Sequence, residues 1–327
     1  MTLGIGDLKR KISAGGEWTL REALSVLADG EFPLEDILGL AGSLRQKYWG
    51  RKVSIQVITS TKNGSCTEDC AYCAQGTASA APLDSCGFLS KDQLREKARL
   101  TESYPVRRHC LGFSGIRFED EEIEIIARQI ESLKDEFAVP ICCSIGLLTP
   151  GQAARLKKAG VSRINHNLNT SARFYSRICT THTYEERLAN LKLIKSAGLE
   201  ICSGGIAGMG EEPEDTAEML LALRKLEPDS VPINFYVPIY GTTLAARRPP
   251  ALAPEYCLRV LALARFLMPR AEIRCAAGRE KYLSRRTAEV LAAVDSIFAQ
   301  GYLTIGGSGL DRTLEEIEKA GYTAAWN

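Results

Sequence analysis

The chain is short of histidine, of net charge and of long apolar runs. Its 327 residues include only three histidines, His109, His166 and His182. Structural zinc sites draw on four Cys or His ligands in paired motifs. With so few histidines and no second C-x-x-C pair, a closed zinc site lacks a fourth ligand. The 41 basic and 40 acidic residues nearly cancel, to a formal charge of +1. That gives no cue for the cationic surface of a nucleic-acid binder or for an acidic partner. No apolar run reaches the roughly 18 residues of a membrane span. The opening MTLGIGDLKR lacks the apolar segment of a secretory signal, so a cytoplasmic location is expected, where thiols stay reduced.

What the chain does have is cysteine, eleven in all. In a reducing compartment these read as metal ligands, catalytic groups or small buried residues rather than disulfides. A hydrophobic content of 45% supplies a large core.

Residues 1–45 read as an N-terminal helical extension, with Thr19 and Glu22 in a capping-box pattern. Residues 46–327 then repeat one rhythm: a short β-rich run, a loop, an amphipathic helix. The strand candidates are VSIQVIT (53–59), HCLGF (109–113), ICCSIG (141–146), RINHNLN (163–169), EICSGGI (200–206), VPINFYV (231–237), EIRCA (272–276) and, more weakly, SIFAQ (296–300). Caps at Ser90, Thr149 and Thr183 start helices, and Gly160 and Gly198 stop them. Eight βα units in succession predict an α/β fold, a (β/α)8 TIM-type barrel.

Side chains alternate across a strand, and the outer face of such a barrel must be apolar to pack on helices. Sorting each strand by that rule sends Leu111, Phe113, Ile141, Cys143, Ile164, His166, Leu168, Ile201, Ile233, Ile273 and Cys275 outward. The inward set is then Cys110, Cys142, Cys202, Asn165, Asn167, Asn169, Asn234 and Arg274. A barrel lumen is normally filled by branched aliphatic residues. Unpaired buried polar groups cost about 1–3 kcal/mol each, so this interior is expected to hold ligands.

Cys66, Cys70 and Cys73 form a C-x3-C-x2-C run directly after the first strand, at the carboxyl end where barrel active sites lie. Three thiolates and an open fourth position suit an iron–sulfur cluster with one iron free to take a substrate or cofactor.

That run, CTEDCAYCAQ, with NHNLNTSARFY, TTHTYEERL, CSGGIAGMGE, VPINF, IRCAAGRE and DSIF, resembles the biotin synthases of the radical S-adenosylmethionine (SAM) superfamily, from about residue 50 to residue 300. The resemblance implies a sulfurtransferase that converts dethiobiotin to biotin. A [4Fe–4S] cluster on Cys66, Cys70 and Cys73 would bind and cleave SAM, giving a 5′-deoxyadenosyl radical that abstracts hydrogen from the substrate. Sulfur would come from an auxiliary iron–sulfur cluster on Cys110, Cys142, Cys202 and Arg274. Asn165, Asn167 and Asn234 would face the ureido ring of dethiobiotin. Tyr72, Asn169, His182, Gly205 and Gly208 would contact SAM. A flavodoxin- or ferredoxin-type electron donor and a homodimer are likewise implied, with no nucleic acid and no membrane. Some family members carry Asp at the place of Asn169 and Arg at the place of His182. The auxiliary cluster is two-iron by family default, but a four-iron form stays open, and Cys275, near a strand end, could join or replace Arg274. Cys143 defaults to burial, and Cys86, Cys179 and Cys257 are expected to be structural. The alternatives are another radical SAM enzyme of mutase or maturase type without sulfur insertion, a non-catalytic iron–sulfur carrier, and a zinc-stabilised protein.

Overall fold

The structure is a computed structural model and describes residues 4–64, 66–83, 87–299 and 307–325; Cys86 lies outside them. Eight parallel strands form its centre: β1 (Lys52–Asn63), β2 (Val106–Phe113), β3 (Ile141–Ser144), β4 (Val161–Asn165), β5 (Glu200–Cys202), β6 (Ser230–Phe235), β7 (Glu272–Cys275) and β8 (Ser296–Phe298). Each pairs with the next, and β8 returns to β1 through Ser54↔Ser296 and Gln56↔Phe298. The sheet therefore closes into the expected (β/α)8 barrel. Three short segments add to it. Gly205–Ala207 runs beside β6, Thr323–Ala324 lies parallel to the start of β1, and Gly87–Phe88 lies antiparallel to its end.

Alternation holds where the strands are regular. Ile164, Ile233 and Ile273 are fully buried on the outer face and share one apolar core with the helices. Each such side chain contributes up to about 1.5–3 kcal/mol by leaving water. Cys143, Cys257 and Cys275 sit in this same core, whereas Cys110, Cys142 and Cys202 do not belong to it. The expectation that Cys275 could ligate the auxiliary cluster is thereby corrected: its sulfur points away from the lumen, and burial raises its thiol to about 12.

Several strands end before the expected residue, and two of them stop well short. β4 ends at Asn165 rather than residue 169; the chain rejoins the sheet only at Asn169, which has a left-handed φ of 71° and bridges Gly205 in parallel. The stretch 200–206 breaks at Ser203–Gly204, where a side chain on Gly204 would lie 1.8 Å from the Pro232 carbonyl oxygen. The caps at Thr19, Ser90, Thr149 and Thr183 all form, and Gly160 and Gly198 have φ of 100° and 72°.

Helices Ile5–Ala14, Leu20–Leu27 and Leu34–Trp49 precede the barrel. The third packs on helices Pro254–Leu267 and Thr287–Ala293. Its buried Arg45 donates to the carbonyl oxygens of Val294, Gly50 and Lys52. A division at residue 45 would fall inside this helix. Among the described residues no helix is long and apolar enough to cross a membrane.

His109 sits fully buried on β2, with Nε2 2.8 Å from the Thr59 hydroxyl and Nδ1 without a partner. Burial pushes its ring down to about 4, against roughly 6.5 in an unfolded chain. The folded state thus prefers the neutral ring. Its contribution is complete above about pH 6.5 and is lost as the pH falls through about 4. Urea unfolding at pH 7 and pH 4.5 should show the parent losing about 2–3 kcal/mol more than a His109→Gln variant; equal losses would contradict this.

Candidate functional site

The mouth of the barrel opens on a cavity of about 260 Å³. Cys66, Cys70 and Cys73 line its rim, on the loop that leaves β1. All three are half-buried free thiols. Asn165, Asn167, Asn169 and Asn234 line the wall below. Ser60 Oγ, Gln75 Oε1 and His166 Nε2, also on this cavity, are buried with no hydrogen-bond partner. Orphaned polar atoms of this kind cost about 1–3 kcal/mol each unless a ligand or water meets them. His166 was expected to point outward. It lines the cavity instead, because β4 has already ended and strand alternation no longer governs it.

Each asparagine is half committed. Asn165 accepts from Ser144 Oγ at 3.2 Å and donates to Cys202 Sγ at 3.2 Å. Asn167 accepts from the Gly204 amide at 3.1 Å. Asn234 donates to the Gly205 carbonyl and accepts from the Ala277 amide, both at 3.1 Å. These bonds fix the amide planes while leaving donors and acceptors for a ligand with both C=O and N–H groups. Asn169 donates to the Tyr72 hydroxyl at 2.8 Å, which joins two residues expected at the same cofactor.

Deeper in the lumen, Cys110 and Cys142 stand side by side in register on β2 and β3. Cys202 is close enough to raise the Cys110 thiol further. The Cys110 thiol hydrogen-bonds Cys142, which falls below its usual range; Arg163, Arg108 and Arg274 reinforce the fall. Cys110 rises in exchange, since the same bond and burial both hold its proton. Arg274 directs NH1 at Cys202 Sγ, 3.7 Å away. Its Nε is held by Ser296 Oγ at 3.1 Å, and its NH2 by Ser230 Oγ at 2.9 Å and by Glu272. NH1 is thus the nitrogen left to face the three sulfurs. Three soft thiols plus one guanidinium nitrogen, converging inside a barrel, are a donor set suited to iron–sulfur ligation.

Sequence reasoning missed the floor beneath this trio. Glu272 accepts from Arg163 NH1 at 3.2 Å and also from Arg274 NH2 and Gln56 Nε2. Arg163 in turn donates from Nε to Glu200 at 2.8 Å, and Arg108 reaches the same carboxylate at 3.3 Å. Burial alone would raise the Glu272 carboxyl, but Arg274 and Arg163 overcome it and hold it far below the ordinary range. Three guanidiniums against two carboxylates leave the floor one positive charge in excess, which favours an anionic group above it. The signal was available: Arg108, Arg163 and Glu272 share the inward parity of Cys110, Asn165 and Arg274.

Three expectations change at the rim. The His182 ring is fully engaged. Nδ1 lies 2.6 Å from Glu68 Oε2 and 3.2 Å from Cys179 Sγ, and Nε2 lies 2.7 Å from Arg187 NH2. An arginine donates only, so Nε2 accepts and Nδ1 carries the proton. The unspent cation beside His182 is Arg187, which also lines the cavity. Gly205 and Gly208 are not on the cavity wall. A side chain on Gly205 would meet Met219 Sδ at 1.9 Å, and Gly208 has φ of 96° and abuts Leu252, so packing rather than ligand approach explains both. Cys179, expected to be structural, lies 3.8 Å from Cys70 Sγ.

Residues 62–223 match the family description "Radical SAM superfamily", and residues 232–323 match "Biotin and Thiamin Synthesis associated domain". The chain is 40% identical over 302 residues to a biotin synthase of Magnetococcus marinus, covering 92% of this chain and 94% of that one. It is 41% identical over 305 residues to a biotin synthase of Streptomyces coelicolor, covering 93% and 74%. A solved methylornithine synthase superposes with a TM-score of 0.83 over 97% of both chains at 16% identity, a likeness of fold.

Replacing Glu272 by Gln removes the countercharge between two buried guanidiniums. Breaking a buried pair in this way costs about 3–5 kcal/mol. Urea unfolding of Glu272→Gln should show a loss of that size; a loss below about 1 kcal/mol would mean that the floor is not held by this carboxylate.

Proposed function

The chain belongs to the biotin synthase family of the radical SAM superfamily, and from that premise we propose which of its residues carry the reaction. The enzyme inserts sulfur into dethiobiotin, with a [4Fe–4S] cluster and SAM as cofactors and an electron donor as partner. Cys66, Cys70 and Cys73 hold the [4Fe–4S] cluster at the rim. Cys110, Cys142 and Cys202, with Arg274 as the fourth donor, hold an auxiliary cluster below. The first supplies the electron that splits SAM, and the second supplies sulfide.

The observation that carries this reading is the linking of two cysteine trios through one asparagine: Asn165 lines the cavity with Cys66, Cys70 and Cys73, and it donates to Cys202 of the buried trio. A maturase or mutase has no need of the lower trio, and a carrier has no need of the asparagines. Asn165, Asn167 and Asn234 orient the ureido ring through the amide groups left free above. Asn165 also touches Cys202, so the residue that would grip the substrate is bonded to one that would hold the sulfur source. Tyr72 and Asn169 act as one unit against SAM, since Asn169 donates to the Tyr72 hydroxyl. Arg187 takes the place expected of His182 as partner of the SAM carboxylate. After its bonds to His182, Tyr175 and the Asn167 carbonyl, it keeps one N–H on each terminal nitrogen, enough for a two-point grip. His182 then positions Arg187. Family membership supports a homodimer and a flavodoxin- or ferredoxin-type donor. The cationic floor suits either a two-iron or a four-iron auxiliary cluster.

The reconstituted, reduced protein should form biotin and 5′-deoxyadenosine from dethiobiotin and SAM. A Cys110/Cys142/Cys202 triple alanine variant should keep 5′-deoxyadenosine formation, lose biotin formation and lose the iron and sulfide of one cluster. Retention of all its iron, or 5′-deoxyadenosine without biotin in the parent, would overturn the assignment. Arg187→Lys should raise the KM for SAM on the order of tenfold, about 1.4 kcal/mol of binding; an unchanged KM would return the carboxylate to His182.

A further inference from the structure

Charge nearly cancels over the whole chain but not locally. Residues 171–182 and 241–254 together carry Arg173, Arg177, Arg247 and Arg248 and no aspartate or glutamate. Arg173 is answered by Asp215 at 2.9 Å. The other three are exposed, and among the described residues no carboxylate pairs with any of them. Arg177 lies over the Phe174 ring, 5.9 Å from its centre. Arg247 donates from NH1 to the Arg177 carbonyl oxygen at 2.6 Å. Arg248 caps the helix Thr243–Arg247 with a left-handed φ of 51°, a conformation uncommon for residues other than glycine. Nearby carboxylates are engaged elsewhere: Asp69 accepts from the Thr180 amide, and Glu211 from the amides of Gly208 and Met209.

These two segments clamp the cysteine loop. Ala71, between Cys70 and Cys73, donates its amide to the Ile178 carbonyl oxygen and accepts from the Leu244 amide, both at 2.8 Å. Ile178 directly follows Arg177, and Leu244 lies in the helix that ends at Arg247. The bond from Arg247 to Arg177 then ties the two segments to each other. Ala71 is buried beneath them, in a small apolar cluster with Phe174, Ile178 and Leu244. Cys70 and Cys73 line the cavity, whereas Ala71 and the three arginines do not. Tyr240, on the second segment, is 89% exposed.

We propose that Arg177, Arg247 and Arg248 form the docking surface for an acidic electron-carrier protein that reduces the rim cluster. The proposal rests on the reading that Cys66, Cys70 and Cys73 hold that cluster. The reaction needs an electron from outside, and a folded carrier cannot enter a cavity of about 260 Å³. It docks on the outer side of the loop, over Ala71. Three guanidiniums without a countercharge attract and orient an acidic surface. Tyr240 adds an exposed aromatic, which together with arginine is enriched at protein interfaces. One electron passes: the carrier is oxidised by one, the cluster is reduced by one, and no bond is made or broken. Electron transfer weakens steeply with distance, and the two bonds to Ala71 connect the docking segments to the backbone beside Cys70.

Binding of an acidic flavodoxin would be measured by isothermal titration calorimetry at low and at high salt. The proteins compared are the parent, an Arg177→Glu/Arg247→Glu/Arg248→Glu variant and Lys158→Glu. Lys158 is exposed at the end of the helix that leads into the start of β4, away from the mouth. At low salt the triple variant should bind on the order of tenfold more weakly than the parent, and Lys158→Glu should bind like the parent. High salt should remove most of the difference. With methyl viologen reduced by dithionite in place of the carrier, parent and triple variant should form 5′-deoxyadenosine at the same rate. Replacing the three arginines by Gln, which removes charge without reversing it, should give an intermediate Kd and serves if the reversed variant does not fold. Equal Kd values in the parent and the arginine variants would overturn the proposal. So would equal weakening by Lys158→Glu, or an equal loss of rate with methyl viologen. If instead the parent forms no 5′-deoxyadenosine with methyl viologen, the rim site does not cleave SAM, and it is the functional assignment that falls.

Discussion

Glu272 sits at the start of β7 with its carboxylate shared by Arg163, Arg274 and Gln56, and the lumen above is organised around that sharing. A guanidinium inside a barrel is stable only with a countercharge. Because Glu272 supplies one, Arg274 stays ionised and is turned so that a single nitrogen faces Cys202. Because Arg163 and Arg108 also meet Glu200, three cations stand below three thiols without a net charge larger than one. The hydrogen bond from Cys110 lowers Cys142 and the same field adds to the fall, the first step toward a thiolate ligand. The inverted polarity of this barrel, with arginine and glutamate where aliphatic layers normally lie, follows from the anionic group it is built to seat.

The rim depends on a different kind of constraint, contact between loops. Among its described residues the cysteine loop has no regular structure beyond turns, and the loop of Cys179 has little more. They hold each other through Asp69, Glu68 and the Ala71 amide. The rim cavity and the lower trio meet at Asn165, which bonds Ser144 on one side and Cys202 on the other. Substrate position and sulfur source are thus coupled through one amide.

Much of this was legible in the sequence where a period exists. Two-residue alternation separated Cys142 from Cys143 and Arg274 from Cys275, adjacent residues of identical or unlike chemistry, and the structure puts each on the face expected. The same rule, carried to Arg108, Arg163 and Glu272, reaches the charged floor. Alternation failed at His166, where β4 had ended, and at 203–204, where the close approach of Gly204 to Pro232 interrupts the strand. No period reports on loops. Glu68 and His182 are 114 positions apart, and Asp69 and Thr180 are 111 apart; their meeting is a product of folding that spacing does not encode.

The central claim is that one barrel lumen holds two separate iron sites at different depths. Crystals of the anaerobically reconstituted protein, measured above and below the iron absorption edge, test it directly. Two distinct iron peaks are predicted, one bounded by Cys66, Cys70 and Cys73 and the other by Cys110, Cys142 and Cys202. Iron at the rim alone, with an empty lower trio in protein of full iron content, would contradict the account.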